Sequence, residues 1–492
     1  MARARRLRDA TRLLEGLLWA IVAGSVAAIG SVHPWAYVPL WIACLTAALV
    51  FVFRALTSSA LRRSLGRHLV AFHLSGRWLV LDPAPEYENQ GWSFDLRRPA
   101  FTSAPLLWPG IAFLAWVLLQ LAPFPPSFRP ATVSFPDTRR GLAFVASLLA
   151  LHLAAAAVFD ERAARVRFRR FVAGLGLALA LVALFQAASG AQRIYGLFAP
   201  LERGTLFGPF VNRNHFAGYM LMVAFTSFGL LARAWRRYRR HVGERPNLRR
   251  RLVALSTAEG VGLLYAVTPS VAAVAALVAT TSRGALVAFV AGLVLAGLGV
   301  WRRSAGVPAW ALAAAFVVMA LSWFGLERVD IRFNEAAGDA PGRTAVWKDS
   351  LARMNGRWLR GTGFNTFGLS MSHTRPWILP VGATPWPAEV DSAVRAGEWP
   401  GTRALTQLPS LSWYREAHND YLQTLVETGV PGLLVALWAA AAALAAVRRD
   451  PWLLAAVAAV LMHSFVDFDL QIPAIPVLLV CLVAMRPEGG LR

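Results

Sequence analysis

Twelve apolar stretches near spanning length govern what this chain can fold into. They cover residues 13–32, 35–53, 105–122, 142–159, 171–189, 215–232, 259–281, 284–301, 307–324, 430–447, 452–467 and 471–485. A helix crossing hydrocarbon needs about 20 such residues, because its backbone polar groups must be satisfied inside the segment. Hydrophobic residues make up 57% of the chain and charged ones only 16%, too apolar a balance for a soluble enzyme. The expected fold is an all-α polytopic membrane protein of about 12 transmembrane helices, with one large outer loop containing short helices. The first stretch follows Arg3, Arg5, Arg6, Arg8 and Arg12 as a signal peptide would, but no clear cleavage site follows. It reads as a retained anchor.

A net charge of +23 would suit a nucleic-acid binder if it lay on one soluble domain, but the basic residues fall in alternate loops. With both termini cytoplasmic, 32 of the 50 Lys and Arg residues lie on the cytoplasmic side, and 11 of the other 18 sit in a single long loop, residues 325–415. Long loops are exempt from the positive-inside rule, so the distribution sets the orientation. The expected divisions are residues 1–53 (two transmembrane helices), 54–104 (a cytoplasmic insertion), 105–324 (transmembrane helices three to nine), 325–429 (the large outer loop with the catalytic motifs) and 430–492 (the last three helices). Cys44 and Cys481 both fall inside expected spans, which excludes a disulfide framework and a thiolate metal site.

Four polar constellations collect on the outer face. In GPFVNRNHFAGYM, Asn212, Arg213, Asn214 and His215 precede the sixth span; they either cap and anchor a helix beginning at His215 or touch substrate. In TTSRGALVAF, Arg283 stands between two apolar stretches with only Gly284 to relax the turn. It either snorkels to the headgroups or holds a phosphate, whose oxygens match the guanidinium fork. In GRTAVWKDSLARMNGRWLRGTGFNTF, Val346, Trp347, Ser350, Leu351 and Met354 recur at helical spacing from Arg343, which predicts a short interfacial helix. Arg343 falls in its first turn, where the dipole disfavours a cation unless an anion is shared with the free amides.

The fourth constellation is REAHNDYLQTLVETGVPGLL, which sets Arg415, Glu416, His418, Asn419, Asp420, Gln423 and Glu427 directly before an apolar run. Charges at bilayer depth cost roughly 2.5 to 3.5 kcal/mol each, so this cluster lies at an interface, lines a polar cavity or does chemistry. The pattern predicts a helix from Glu416 to Thr428, stopped by Gly429, with Pro431 opening the next span. His418, Tyr421, Leu422 and Leu425 then share one face, and Asp420, Gln423 and Glu427 another. In a first turn the dipole keeps His418 a neutral imidazole against the pull of Glu416, fit either for a structural role or for accepting a proton.

NRNHFAGYM, TSRGAL, GRTAVWKDSL with the later GTGFNTF, REAHNDYLQTLVETGVPGLL and HSFVDFDLQIPA together resemble the O-antigen ligase and O-antigen polymerase family of bacterial polysaccharide membrane proteins, over roughly residues 170 to 485. The resemblance implies a glycosyltransferase of the bacterial inner membrane with a large periplasmic loop. Its donor would be a glycan on undecaprenyl diphosphate, and its acceptor a hydroxyl on lipid A-core, glycan or protein, with no cofactor and no metal. It implies Arg283 and Arg343 as the residues that engage the donor diphosphate, and His418 as the activator of the acceptor hydroxyl. Arg213, Asn214, His215, Asn419 and Asp420 are further candidates for substrate contact. Asp467 and Asp469 form a D-x-D that ligates Mg2+ in other glycosyltransferases; here they are expected to be structural or acceptor-facing.

The motifs do not separate a ligase, the favoured reading, from a polymerase of the same family. A lipid-glycan flippase or exporter would place polar residues at mid-span, where few are found. A non-enzymatic scaffold leaves the clustering of Arg, His and Asn on one face unexplained.

Overall fold

The structure, a computed structural model, describes residues 2–57, 104–124, 129–199, 206–243, 247–301, 336–374 and 415–485, with four two-residue pieces between 73 and 95. Its helices are α1 Ala2–Ala27, α2 Pro34–Thr57, α3 Leu107–Leu121, α4 Phe135–Val158, α5 Arg162–Ser189, α6 Arg213–Val242, α7 Leu248–Ala254, α8 Ala258–Ala279, α9 Arg283–Trp301, α10 Ala336–Arg353, α11 Phe367–Thr374, α12 Asp420–Val447, α13 Pro451–His463 and α14 Ala474–Ala484. Extended chain is confined, among the described residues, to two-residue antiparallel ladders such as Pro123–Phe124 with Arg129–Pro130.

Eleven of the twelve expected spans coincide with a helix; the one at 307–324 lies outside the described residues, as do most of the 54–104 insertion and residues 375–414 of the large loop. Among the described residues seven helices, α2, α4, α5, α6, α8, α9 and α12, are long and apolar enough to cross a membrane. Three others, α3, α13 and α14, are apolar but shorter. The last two fall short because the polar turn after His463 and the break at Pro473 divide the apolar run between them.

The chain forms two compact units. The first comprises residues 1–114, 143–337 and 435–492, and α6 is its centre. The whole apolar window of α6 is buried, as expected of a helix surrounded by others; α5, α8 and α13 pack against it, α9 packs on α13, and α14 reaches both α6 and α1. Small residues permit the approach. A Cβ at Gly292 of α9 would lie 2.5 Å from the Phe225 ring, and Phe225 in turn packs tilted against Phe289, ring centroids 5.3 Å apart.

One end of α13 is pinned by a buried ion pair. Asp450 Oδ1 accepts the amides of Trp452 and Leu453, capping the helix, while Oδ2 takes Arg169 Nη2 at 2.6 Å and Arg233 Nη2 at 3.5 Å. Burial alone would lift the Asp450 carboxyl pKa, but Arg169, the cap amides and Arg233 outweigh it and hold the group below its usual range.

The second unit comprises residues 115–142 and 338–434. Its small core joins Val346 of α10 and Met354 just past its end to Phe367, Met371, Ala417 and Val426, with Trp347, Leu422 and Leu425 at the margin. Ser350 shares the inward face of α10, but Leu351 is 47% exposed and leaves the face expected for it. The break at Gly429 is where the pattern put it. The residue has φ +69°, and a Cβ there would stand 2.7 Å from the Leu359 carbonyl carbon, so both backbone angle and space demand glycine.

Asp450→Ala should strand the Arg169 guanidinium in the bundle and lower stability by about 3–5 kcal/mol. Thermal unfolding of the detergent-solubilised protein measures this, and an unchanged Tm would contradict it. Because the folded pKa is depressed, the carboxylate's contribution is complete above the ordinary value of about 3.9 and fades as pH falls through the lower folded value.

Candidate functional site

In the second unit the site is built around the start of α12. Asn419 Oδ1 accepts the amides of Tyr421 and Leu422, both at 3.0 Å. This cap starts the helix at Asp420 rather than at Glu416, since asparagine outranks the residues upstream as an N-cap. His418 therefore lies outside the helix, in the left-handed region at φ +50°, and the first-turn reason for a neutral imidazole falls away. Such a conformation in a non-glycine residue costs of order 1–3 kcal/mol and persists where the surroundings hold it. His418 itself is partly exposed.

The polar face of α12 points inward: Asp420, Gln423 and Glu427 are 2%, 2% and 1% exposed. Glu427 Oε2 accepts the Asn365 amide at 2.9 Å and Oε1 the Phe367 amide at 3.0 Å. Gln423 donates to Glu416 Oε2 at 2.7 Å and accepts from the Ala417 amide at 3.1 Å. Gln120 of α3 completes the frame, donating to the carbonyls of Arg360 and Glu427 and accepting the Phe364 amide. The GTGFNTF turn is thus clamped by a carboxylate of its own chain, which takes up the Asn365 and Phe367 amides. Glu427 and Gln120 are the residues sequence reasoning missed. Glu427 carried a faint signal in sharing a face with Asp420 and Gln423, whereas Gln120 is a lone amide at the end of an apolar run.

Arg343 lies in the interior of α10, not in its first turn. The helix runs back through Pro341 and Gly342, residues that disfavour helix interiors, and an interior amide is committed to the helix ladder. The shared-anion argument from free amides therefore does not apply to it. Four residues on, Trp347 Nε1 donates to the Ala417 carbonyl at 3.0 Å, which ties the Arg343 helix to the residue preceding His418.

In the first unit, three sequence-distant motifs converge. Asn212 caps α6 by accepting the Asn214 amide at 2.9 Å, so the helix begins at Arg213, two residues before the expected His215. Arg213 Nη1 donates to Thr281 Oγ1 at 3.3 Å, joining the NRNH and TTSR motifs. Arg213, Asn214 and Arg283 are all partly exposed. The left-handed residue of the turn is Thr281, φ +52°, and not Gly284. Gly284 instead makes room: a Cβ there would stand 3.1 Å from His463 Cδ2 and 2.6 Å from Val466 Cγ2.

His463 belongs to HSFVDFDL, whose two aspartates turn inward onto histidines. His463 Nδ1 and Asp469 Oδ2 are 2.6 Å apart, and His215 Nε2 stands 3.4 Å from Asp467 Oδ1. The His215 ring lies edge-on to Phe468 at 4.4 Å. All four polar side chains are buried, Asp469 completely. Burial lifts the Asp469 carboxyl pKa against the opposing pull of His463, and Asp467 adds to the rise. The D-x-D is a structural element here rather than an open ligand pair. Of the further candidates for substrate contact, Asn419 caps α12, His215 and Asp420 are buried, and Arg213 and Asn214 remain partly exposed.

Residues 268–437 match a family model described as O-Antigen ligase. That stretch is similar to the O-antigen ligase family. The O-antigen ligase match takes in Arg283, Arg343, His418 and the Glu427 clamp, and stops short of NRNH on one side and HSFVDFDL on the other. With the apolar helices, it makes the chain a multi-pass membrane protein. The O-antigen ligase family implies a membrane glycosyltransferase-like enzyme that works on a lipid-linked glycan and an acceptor. Among curated proteins, none matches the chain.

Glu427→Gln removes one of the two acceptors that hold the GTGFNTF turn, at an expected cost of about 1–3 kcal/mol. Hydrogen exchange at the Asn365 and Phe367 amides should quicken; undiminished protection would show that the clamp does not hold the turn.

Proposed function

We propose that this protein is an O-antigen ligase-like glycosyltransferase of the bacterial inner membrane, moving a glycan from undecaprenyl diphosphate to an acceptor hydroxyl on the periplasmic face. The observation that carries the reading is that a single family match spans Arg283, Arg343 and His418, the residues whose types the reaction needs. The acceptor oxygen attacks the anomeric carbon, the bond from that carbon to the diphosphate oxygen breaks, and the diphosphate leaves with the electron pair. Arginines at the diphosphate stabilise the charge that develops there. The hydroxyl proton passes to the His418 imidazole, a group suited to act as a general base. Attack opposite the leaving group inverts the anomeric centre.

Arg213 and Asn214, partly exposed near the Arg283 turn, are suited to touch the donor. Asn419 serves the site by fixing where α12 begins, which leaves His418 in its bent, partly exposed position. A polymerase of the same family would run the same chemistry with the growing glycan as acceptor. A deletion strain separates the two: long lipid-linked chains that accumulate unligated mark a ligase, and single repeat units a polymerase.

Asparagine tolerates the left-handed backbone that residue 418 adopts, so His418→Asn keeps the fold while removing the base. Turnover should fall about 10²- to 10⁴-fold with Tm unchanged; near-normal turnover would exclude His418 as the base. Arg283→Lys and Arg343→Lys each keep the charge but lose the bidentate fork and should weaken donor use by about 1–3 kcal/mol, read from kcat/KM for the donor. Unchanged values in both variants would remove the two arginines from the site. Activity should survive EDTA, since the arginines supply the charge that a metal would; loss on chelation, restored by Mg2+ or Mn2+, would contradict this.

A further inference from the structure

The buried His463–Asp469 pair lies outside the matched domain and takes no part in the chemistry above, yet it touches both helices whose first residues are the exposed arginines of the first unit. The His463 ring packs on the first turn of α9, against Gly284, directly after Arg283. The Asp469 carboxylate packs on α6 at Gly218, five residues after Arg213, where a Cβ would stand 2.5 Å from Oδ1. Both glycines are therefore spaces filled by the pair. Between the two helix starts, Arg213 reaches Thr281, and Thr281 is itself held in the left-handed region two residues before Arg283. A non-glycine residue stays in such a conformation only where its neighbours fix it.

A fully buried carboxylate is a poor source of stability, because its desolvation offsets most of what its partner returns. Asp469 Oδ1 is completely buried and, among the described residues, makes no hydrogen bond. A cluster retained at that cost fits a role in fixing geometry. We propose that the His463–Asp469 pair is a positioning element for the donor diphosphate site, wedging the starts of α6 and α9 so that Arg283 is presented in one orientation. This rests on the reading of Arg283 as a diphosphate ligand. Neither His463 nor Asp469 needs to touch the substrate.

The test is a double-mutant cycle between Asp469→Ala and Arg283→Ala, read by the Kd of vesicle-reconstituted protein for undecaprenyl diphosphate and by kcat at saturating donor. Asp469→Ala alone should raise Kd between about 10- and 100-fold, the effect of a misplaced binding group, while kcat stays within about threefold. In the Arg283→Ala background the same substitution should change Kd no further, because the group it positions is gone. Equal losses in both backgrounds would overturn the proposal and reduce the pair to general support. If Arg283→Ala itself binds undecaprenyl diphosphate as tightly as the unaltered protein, the donor-site reading fails and the proposal with it. Should Asp469→Ala not fold, Gly218→Ala presses a methyl group onto the carboxylate from α6 and must show the same dependence on Arg283.

Discussion

A polar side chain buried at the end of an apolar helix has to find a partner, since leaving it unpaired costs more than any single contact returns. Three such side chains organise this protein. Asp450 holds Arg169 and Arg233 while capping one end of α13. Asp469, beyond the other end of α13, holds His463 and fills the space at Gly218. Glu427 holds the amides of Asn365 and Phe367 and thereby closes the GTGFNTF turn. Apolar packing around α6 supplies bulk, but these contacts fix which turns meet.

Much of the helical layout was legible, because a spanning requirement of about 20 apolar residues is coarse and hard to imitate. The break at Gly429 was legible for a similar reason: glycine followed by Pro431 allows few alternatives. Helix starts were less legible. Asn212 and Asn419 each moved a start by capping, and Arg343 lost its first-turn position because α10 tolerates Pro341 and Gly342. A single chain read by periodicity weighs such residues as stops, whereas the packing of Val346 and Met354 decides the outcome.

The site residues divide by a related logic. Arg213, Asn214, Arg283 and His418 keep partial solvent access, and residue type is what marks them as candidates. His215, Asn419 and Asp420 look equally functional in the sequence, yet Asn419 caps α12, His215 stands beside Asp467, and Asp420 is buried. Polar residues beside an apolar helix have two uses, and composition does not distinguish them; burial does. Burial of Asp467 and Asp469 fits the structural role expected of the D-x-D, whereas the backbone of the arginine turn departs from expectation, with Thr281 rather than Gly284 in the left-handed region.

The proposed reaction breaks the bond between glycan and lipid diphosphate. It is tested most directly with purified protein in vesicles carrying a glycan on undecaprenyl diphosphate, supplied with an acceptor on the lumenal or outer leaflet, by following released undecaprenyl diphosphate and glycosylated acceptor together. Both should appear in equal amounts, and neither without the protein. Glycan that crosses the bilayer still attached to its lipid, with no undecaprenyl diphosphate released, would contradict it and mark the protein as an exporter.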